Sequence, residues 1–351
     1  MGGNAFKHRL YTPRISAALY RQIRTQASAI LRTFFTHVIV PTELPSKSDF
    51  GDVDFFVGGP LPHALFPNTN DCKPDLWSTV SALKTAFITP HGFQVKLNLD
   101  VIFLAVMPLS PPAMLRERGF WVQIDVKICG YGSESTAVNV ERFQWEVFQL
   151  HYASVAKILG SMVKPVGLTM DPEGLWVRVE EMEGANFGAS KVWLTAELRT
   201  VLEVLGLDER VLNKGFGCNK ELFEYLSSWW LFNPAHFVER LKNREYRKRL
   251  EERASWWRYF VSEWTPRRLP ENRFPASDSD PARAASAHCL LANAEGDADM
   301  DVDIDVDMSE DYEDLAQWYK STRTIVRSRV FSMFPPNVQS EISTRSGRRK
   351  C

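Results

Sequence analysis

The sequence predicts an α/β (α+β) domain followed by a mainly helical one. Strand-type apolar runs dominate residues 37–130, whereas helical periodicity dominates 140–264. The composition allows two buried cores: 44% of the 351 residues are hydrophobic and 24% charged, with 11 Trp and 22 Phe.

The elements follow in order. Ile15, Leu19, Ile23, Ala27, Leu31 and Phe34 recur at spacings of three and four, which predicts an amphipathic helix over 13–36 behind Pro13. A strand is expected from His37 to Val40, ended by Pro41, and a second from Val53 to Val57 after a turn-rich stretch. Residues 58–74, with Gly58, Gly59 and four Pro, read as a loop, and 76–87 as a helix. Two further β-like runs, 93–107 and 120–129, flank a Pro-containing loop. Beyond residue 140 one long helix is expected over 143–162, a short strand over 175–179, and helices over 196–205, 221–230 and 234–264.

The domains are therefore 1–139 and 140–264, followed by three segments of different composition. Residues 265–311 include the alternation of Asp297 to Met308 and are expected as a disordered acidic linker. Residues 312–334 regain helical periodicity and are expected as a docking helix, and 335–351 as a basic disordered tail. The net charge of −1 conceals −11 over 295–314 and +7 over 315–351, so the body, at +3, lacks the charge of a nucleic-acid binder. No apolar run reaches the length that crosses a bilayer, and the opening residues carry no apolar signal core. The five scattered Cys form neither a disulfide framework nor a zinc knuckle. An intracellular protein, in cytoplasm or nucleus, with no membrane and no disulfide-linked partner, is expected.

The chemistry concentrates between Lys47 and Val57. Asp52 and Asp54 are two apart on a strand and so point to one side. Two adjacent carboxylates repel unless a cation stands between them. Mg²⁺ takes one or two carboxylates together with phosphate oxygens. Gly51 permits close approach of a phosphate or of backbone, and Lys47 and Ser48 stand upstream within reach of a phosphate. The alternative is a pair of turn-capping Asp.

This segment resembles the active-site strand of the nucleotidyltransferase fold, the DNA polymerase β-like superfamily. The matching residues are Ser48, Gly51, Asp52, Val53, Asp54 and Phe55; where the family has Gly-Gly or Gly-Ser, this chain has Pro45 to Ser48. The chain is also similar over about residues 1–264 to fungal proteins carrying that domain. The stretches are Gly2 to Phe6, Lys47 to Val57, Gln123 to Val126, Gly167 to Thr169, Gly174 to Arg178, Val192 to Thr195 and Leu205 to Asp208. The resemblance implies a nucleotidyltransferase-like mixed sheet with flanking helices. It implies a Mg²⁺-dependent transferase that moves a nucleoside monophosphate from an NTP to a hydroxyl acceptor, RNA being one class used in the superfamily. Two Mg²⁺ ions, or Mn²⁺, would be held by Asp52, Asp54 and a third acid that also serves as base. Asp125 is preferred as that acid because its strand matches better, with Asp100 as the alternative. The competing function is a catalytically inactive scaffold of the same fold, or a nucleic-acid-binding interaction protein.

Other residues have two readings each. Lys127 shares the face of Asp125 and meets a triphosphate or a surface carboxylate. Arg178 contacts phosphate or pairs with Glu180 or Glu181, and His151 packs or caps a helix or else acts as a base. Gly58 and Gly59 make a turn. The stretch 239–273 has 11 Lys or Arg against 6 Glu, interleaved with Trp256, Trp257, Tyr259 and Trp264. Its aromatics either stack bases or, at their helical spacing, form core. No serine-hydrolase elbow and no P-loop occurs.

Overall fold

A computed structural model of the chain describes residues 3–61, 76–95, 98–108, 119–129, 139–212, 215–253, 255–268 and 310–347. The chain divides into two units, Met1–Tyr152 and Ala153–Cys351. The first contains β1 (Ile15–Ser16), α1 (Ala17–Leu31), β2 (Phe35–Ile39), β3 (Asp49–Phe50), β4 (Asp52–Pro60), α2 (Leu76–Ala86), β5 (Gly92–Val95), β6 (Asn98–Val106), β7 (Val122–Ile128) and α3 (Val140–Phe148). The boundary expected after 139 therefore falls later. The reason is α3, whose Phe143 and Val147 pack on Phe56 and Cys129 and so belong to the sheet.

Five strands form a mixed sheet in the order β2-β4-β7-β6-β5. β4 and β7 run parallel; the other neighbours are antiparallel. A parallel pair needs a long crossover, supplied here by everything between Pro60 and Val122. Period-two alternation divides β4 and β7 cleanly. Val53, Phe55 and Val57, with Ile124 and Val126, join a core with Ile23 and Leu31 of α1 and with Val80 and Leu83 of α2. Asp52, Asp54, Gln123, Asp125 and Lys127 occupy the alternate positions and hence the other face. Ser16 caps α1 by accepting the Leu19 N–H at 3.4 Å. Ser16→Ala is expected to cost about 1 kcal/mol, read as a lower denaturation midpoint in urea.

Several expected elements differ in extent. The 93–107 run is a hairpin of two strands, β5 and β6. Gly58 and Gly59 lie inside the end of β4, Gly58 opposite His37. The single helix expected over 143–162 is two, α3 and α4 (His151–Val163). Tyr152, Ala153 and Ser154 have left-handed φ values of 52°, 52° and 72°. The cause is Thr42: its N–H donates to His151 Nδ1 at 2.8 Å, and its carbonyl accepts the Tyr152 N–H at 2.7 Å. These bonds tie the chain to a distant loop where a continuous helix would have bonded to itself.

The second unit is less purely helical than expected. β8 (Leu168–Asp171), β9 (Gly174–Arg178) and β10 (Lys191–Thr195) form an antiparallel sheet in the order β10-β9-β8. Helices follow: α5 (Leu198–Leu205), α6 (Asn219–Ser227), α7 (Pro234–Lys242), α8 (Arg244–Glu251) and α9 (Ser255–Tyr259). Gly206 ends α5 with φ 68°, where glycine carries no Cβ penalty. The long helix expected over 234–264 is broken because Asn243 turns extended and caps α8, accepting the Tyr246 N–H at 2.9 Å. Trp256, Trp257 and Phe260 are buried and form core, whereas Tyr259 is exposed and Trp264 half-buried.

α10 (Glu310–Met333) packs on α5 and α7. Its Tyr319 hydroxyl meets His236 Nδ1 at 2.6 Å. The basic tail expected without structure instead forms α11 (Pro336–Gly347). Ile342 is buried there, and Arg345 donates to the carbonyls of Ala189 and Lys191 at 2.6 and 2.9 Å. Of the acidic linker expected over 265–311, residues 269–309 lie outside the described residues. Among the described residues no helix is long and apolar enough to cross a membrane, and Cys129 and Cys218 are free.

Candidate active site

The parallel register of β4 and β7 sets Asp54 directly opposite Asp125 and Asp52 opposite Gln123. The sheet thus brings three carboxylates, contributed by two segments some seventy residues apart, onto one face. Asp100 is elsewhere. It pairs with Lys127 Nζ at 3.6 Å, so Asp125 and not Asp100 is the acid that faces Asp54.

The electrostatics of these acids are unfavourable as they stand. Burial pushes the Asp54 carboxyl well above the ordinary carboxylate range, and the neighbouring Asp52 and Glu43 push it further, with Lys47 opposing. Burial and then the charges of Asp54 and Asp52 push Asp125 up to about 8, partly offset by a hydrogen bond from Gln123. Among the described residues Asp54 has no hydrogen-bond or ion-pair partner. Asp52 Oδ2 accepts the Gly3 N–H at 2.7 Å, and Asp125 Oδ1 accepts from Gln123 Nε2 at 2.7 Å. Among the described residues no three acidic, His or Cys side chains are already closed around an ion position. The donor set suits a hard cation: oxygens alone and like-charged, with no ion pair to Asp52, Asp54 or Asp125 among the described residues.

The other predicted residues are distributed unevenly. Lys47 lies close enough to act on Asp54, but its Nζ bonds Glu43 at 2.6 Å and stands 4.7 Å from the centre of the Phe50 ring. Ser48 is exposed, and Gly51 is buried at the head of β4. Lys127 shares the acid face but is held by Asp100 and by Glu146 at 3.5 Å. Arg178 is buried in the second unit, where it pairs with Glu183 and donates to the Lys164 carbonyl. His151 is the packed histidine of the helix junction.

Three participants escaped the sequence. Glu43 is a further carboxylate near Asp54, and it accepts from the buried Tyr20 hydroxyl at 3.2 Å. Gly3 and Gln123 hold the outer acids. Gln123 carried a readable signal, since it lies two residues before Asp125 on the same strand face. A cleft of about 430 Å³ is lined by Gly3, Asn4, Tyr11, Thr12, Arg14 and Gly51, among others, and by none of the three acids. No family profile matches the chain, and no curated protein is significantly similar to it. On its own structure it is a mixed α/β protein with a five-stranded mixed sheet and a carboxylate cluster on one sheet face.

Proposed function

We propose that the chain is a divalent-cation-dependent nucleotidyltransferase, transferring a nucleoside monophosphate from an NTP to a hydroxyl acceptor. The observation that carries this reading is the juxtaposition of Asp54 and Asp125, with Asp52 beside them, while Lys47, the cation that acts on Asp54, is bonded to Glu43. Like charges held close in a partly buried site are costly, and a bound divalent ion removes that cost. Asp52, Asp54 and Asp125 would hold Mg²⁺ or Mn²⁺. Such ions supply charge neutralisation at the entering and leaving oxygens of an in-line displacement.

The residues have distinct parts in the reaction. Asp125 takes the proton of the acceptor hydroxyl, whose oxygen forms a bond to the α-phosphorus while the bond to the bridging oxygen breaks and pyrophosphate leaves. Without a cation its carboxyl is pushed up to about 8, and a bound cation would hold it ionised, as a proton acceptor must be. Asp52 and Asp54 would hold the cation, which would neutralise the triphosphate. RNA is one acceptor class this chemistry accommodates.

A second reading, an inactive scaffold of the same fold, is favoured by the capture of Lys47 by Glu43. That pair leaves a less available cation at the turn that would meet a phosphate. The two readings separate in one assay. The protein is incubated with each NTP, Mg²⁺ and either RNA or protein as acceptor, and label transfer and pyrophosphate release are followed. A transferase gives both, and Asp125→Asn lowers the rate by at least about 10²-fold. Equal rates in wild type and variant would exclude the assignment.

A further inference from the structure

We propose that residues 3–6 form a strap that positions the acids, with Gly3 and Gln123 as its positioning residues. The proposal rests on the reading of Asp52 and Asp125 as cation ligands.

Two backbone amides of this strap reach both ends of the acid row. The Gly3 N–H donates to Asp52 Oδ2 at 2.7 Å. The Ala5 N–H donates to Gln123 Oε1 at 2.9 Å, and Gln123 Nε2 donates to Asp125 Oδ1 at 2.7 Å. The orientation of the Gln123 amide follows from its partners: Ala5 offers only a donor, so the oxygen turns to the strap and the NH₂ to the carboxylate. Gln123 is 2% exposed, so these are its polar contacts in place of water. Among the described residues Asp52 Oδ1 and Asp125 Oδ2 accept no hydrogen bond. Each acid is thus held by one oxygen and offers the other. Groups that grip a ligand from behind in this way fix its orientation and tune its affinity.

The strap is itself fixed. Phe6 is buried and meets the Phe93 ring edge-on, 5.1 Å between centroids. The Thr12 hydroxyl donates to the Gly3 carbonyl at 3.3 Å. Position 3 admits only glycine for two reasons. Its φ is +73°, and a Cβ would stand 2.3 Å from the Gly51 carbonyl oxygen. A side chain there must lift the strap off the turn that begins β4, which takes the amide away from Asp52.

The test is a Mn²⁺ titration of the full chain, reading free Mn²⁺ by electron paramagnetic resonance, with thermal midpoints in the absence of metal as a check on folding. Wild type binds, and Asp54→Asn does not. Gly3→Ala and Gln123→Met each weaken binding about 10- to 100-fold, the range for loss of an outer-shell partner. His8→Ala, an exposed change just beyond the strap, leaves it unchanged. Should the two strap variants fail to fold, the wild type decides: its Gly3 amide resonance shifts on adding Mg²⁺, and does not in Asp54→Asn. Wild-type affinity in folded Gly3→Ala and Gln123→Met, or a Gly3 resonance indifferent to Mg²⁺, overturns the strap while leaving the cation site standing. No Mn²⁺ binding by wild type overturns both.

Discussion

Asn in place of Asp54 will stabilise the cation-free protein above pH 7 and abolish its stabilisation by Mg²⁺. Unfolded, an Asp carboxyl ionises near pH 3.9. Folded, Asp54 and Asp125 both ionise at higher pH, Asp125 at about 8, because of burial first and neighbouring carboxylates second. Between those limits the folded chain binds more protons than the unfolded one, so stability falls as pH rises. The contribution is fully present below about pH 4 and is lost as the pH passes through the folded values, near 8 for Asp125. Each tenfold change in a carboxyl's proton affinity on folding corresponds to about 1.4 kcal/mol. A domain of this size gains roughly 2–4 °C in thermal midpoint per kcal/mol. Melting curves from pH 5 to 9 should show a wild-type midpoint that declines more steeply than that of Asp54→Asn or Asp125→Asn. Millimolar Mg²⁺ should restore the wild type at pH 8 and leave the variants unmoved. Parallel midpoint curves for wild type and variants would mean that the acids are not in conflict.

Phe55→Ala will cost about 3–5 kcal/mol and take the acid site with it. Phe55 is fully buried and sits between Asp54 and Phe56 on the interior strand β4, facing the core shared with α1 and α2. Truncating a buried Phe forfeits the transfer free energy of the ring and leaves a cavity that a strand paired on both sides cannot collapse to fill. β4 carries Asp52 and Asp54 on its other face, so the register of the acids depends on this packing. The urea midpoint should fall sharply, and residual folded protein should bind Mn²⁺ more weakly. Phe55→Leu retains much of the volume and should lose less than half as much stability. A mild effect of Phe55→Ala would show that β4 is not the keystone of the first unit.

The acids were legible because strand alternation is local. Asp52 and Asp54 alternate with Val53 and Phe55, and Asp125 alternates with Ile124 and Val126, so each could be assigned to the non-core face without knowing the partner strand. The choice of Asp125 over Asp100 became physical only with the parallel register that sets it against Asp54. What stayed hidden depends on contacts between distant segments. Gly3 meets Asp52, and Ala5 meets Gln123, across 49 and 118 residues of chain. The cations have partners of both kinds, near and far in sequence. Glu43, four residues away, engages Lys47, and Asp100 and Glu146 engage Lys127, which bears out the surface-carboxylate reading of Lys127. The helix break at Tyr152 is invisible in the apolar periodicity of 143–162 because Thr42 imposes it. In the second unit, β8 and β10 are strands of four and five residues whose pattern is too short to separate from turns.

Calorimetric titration of an NTP into the protein, with and without Mg²⁺, tests the central claim most directly. Wild type should bind the nucleotide only when Mg²⁺ is present, and the double change Asp52→Ala and Asp54→Ala should remove that binding while the protein stays folded. Nucleotide binding that is independent of Mg²⁺, or that survives in the double variant, would contradict a carboxylate-held cation as the nucleotide's anchor.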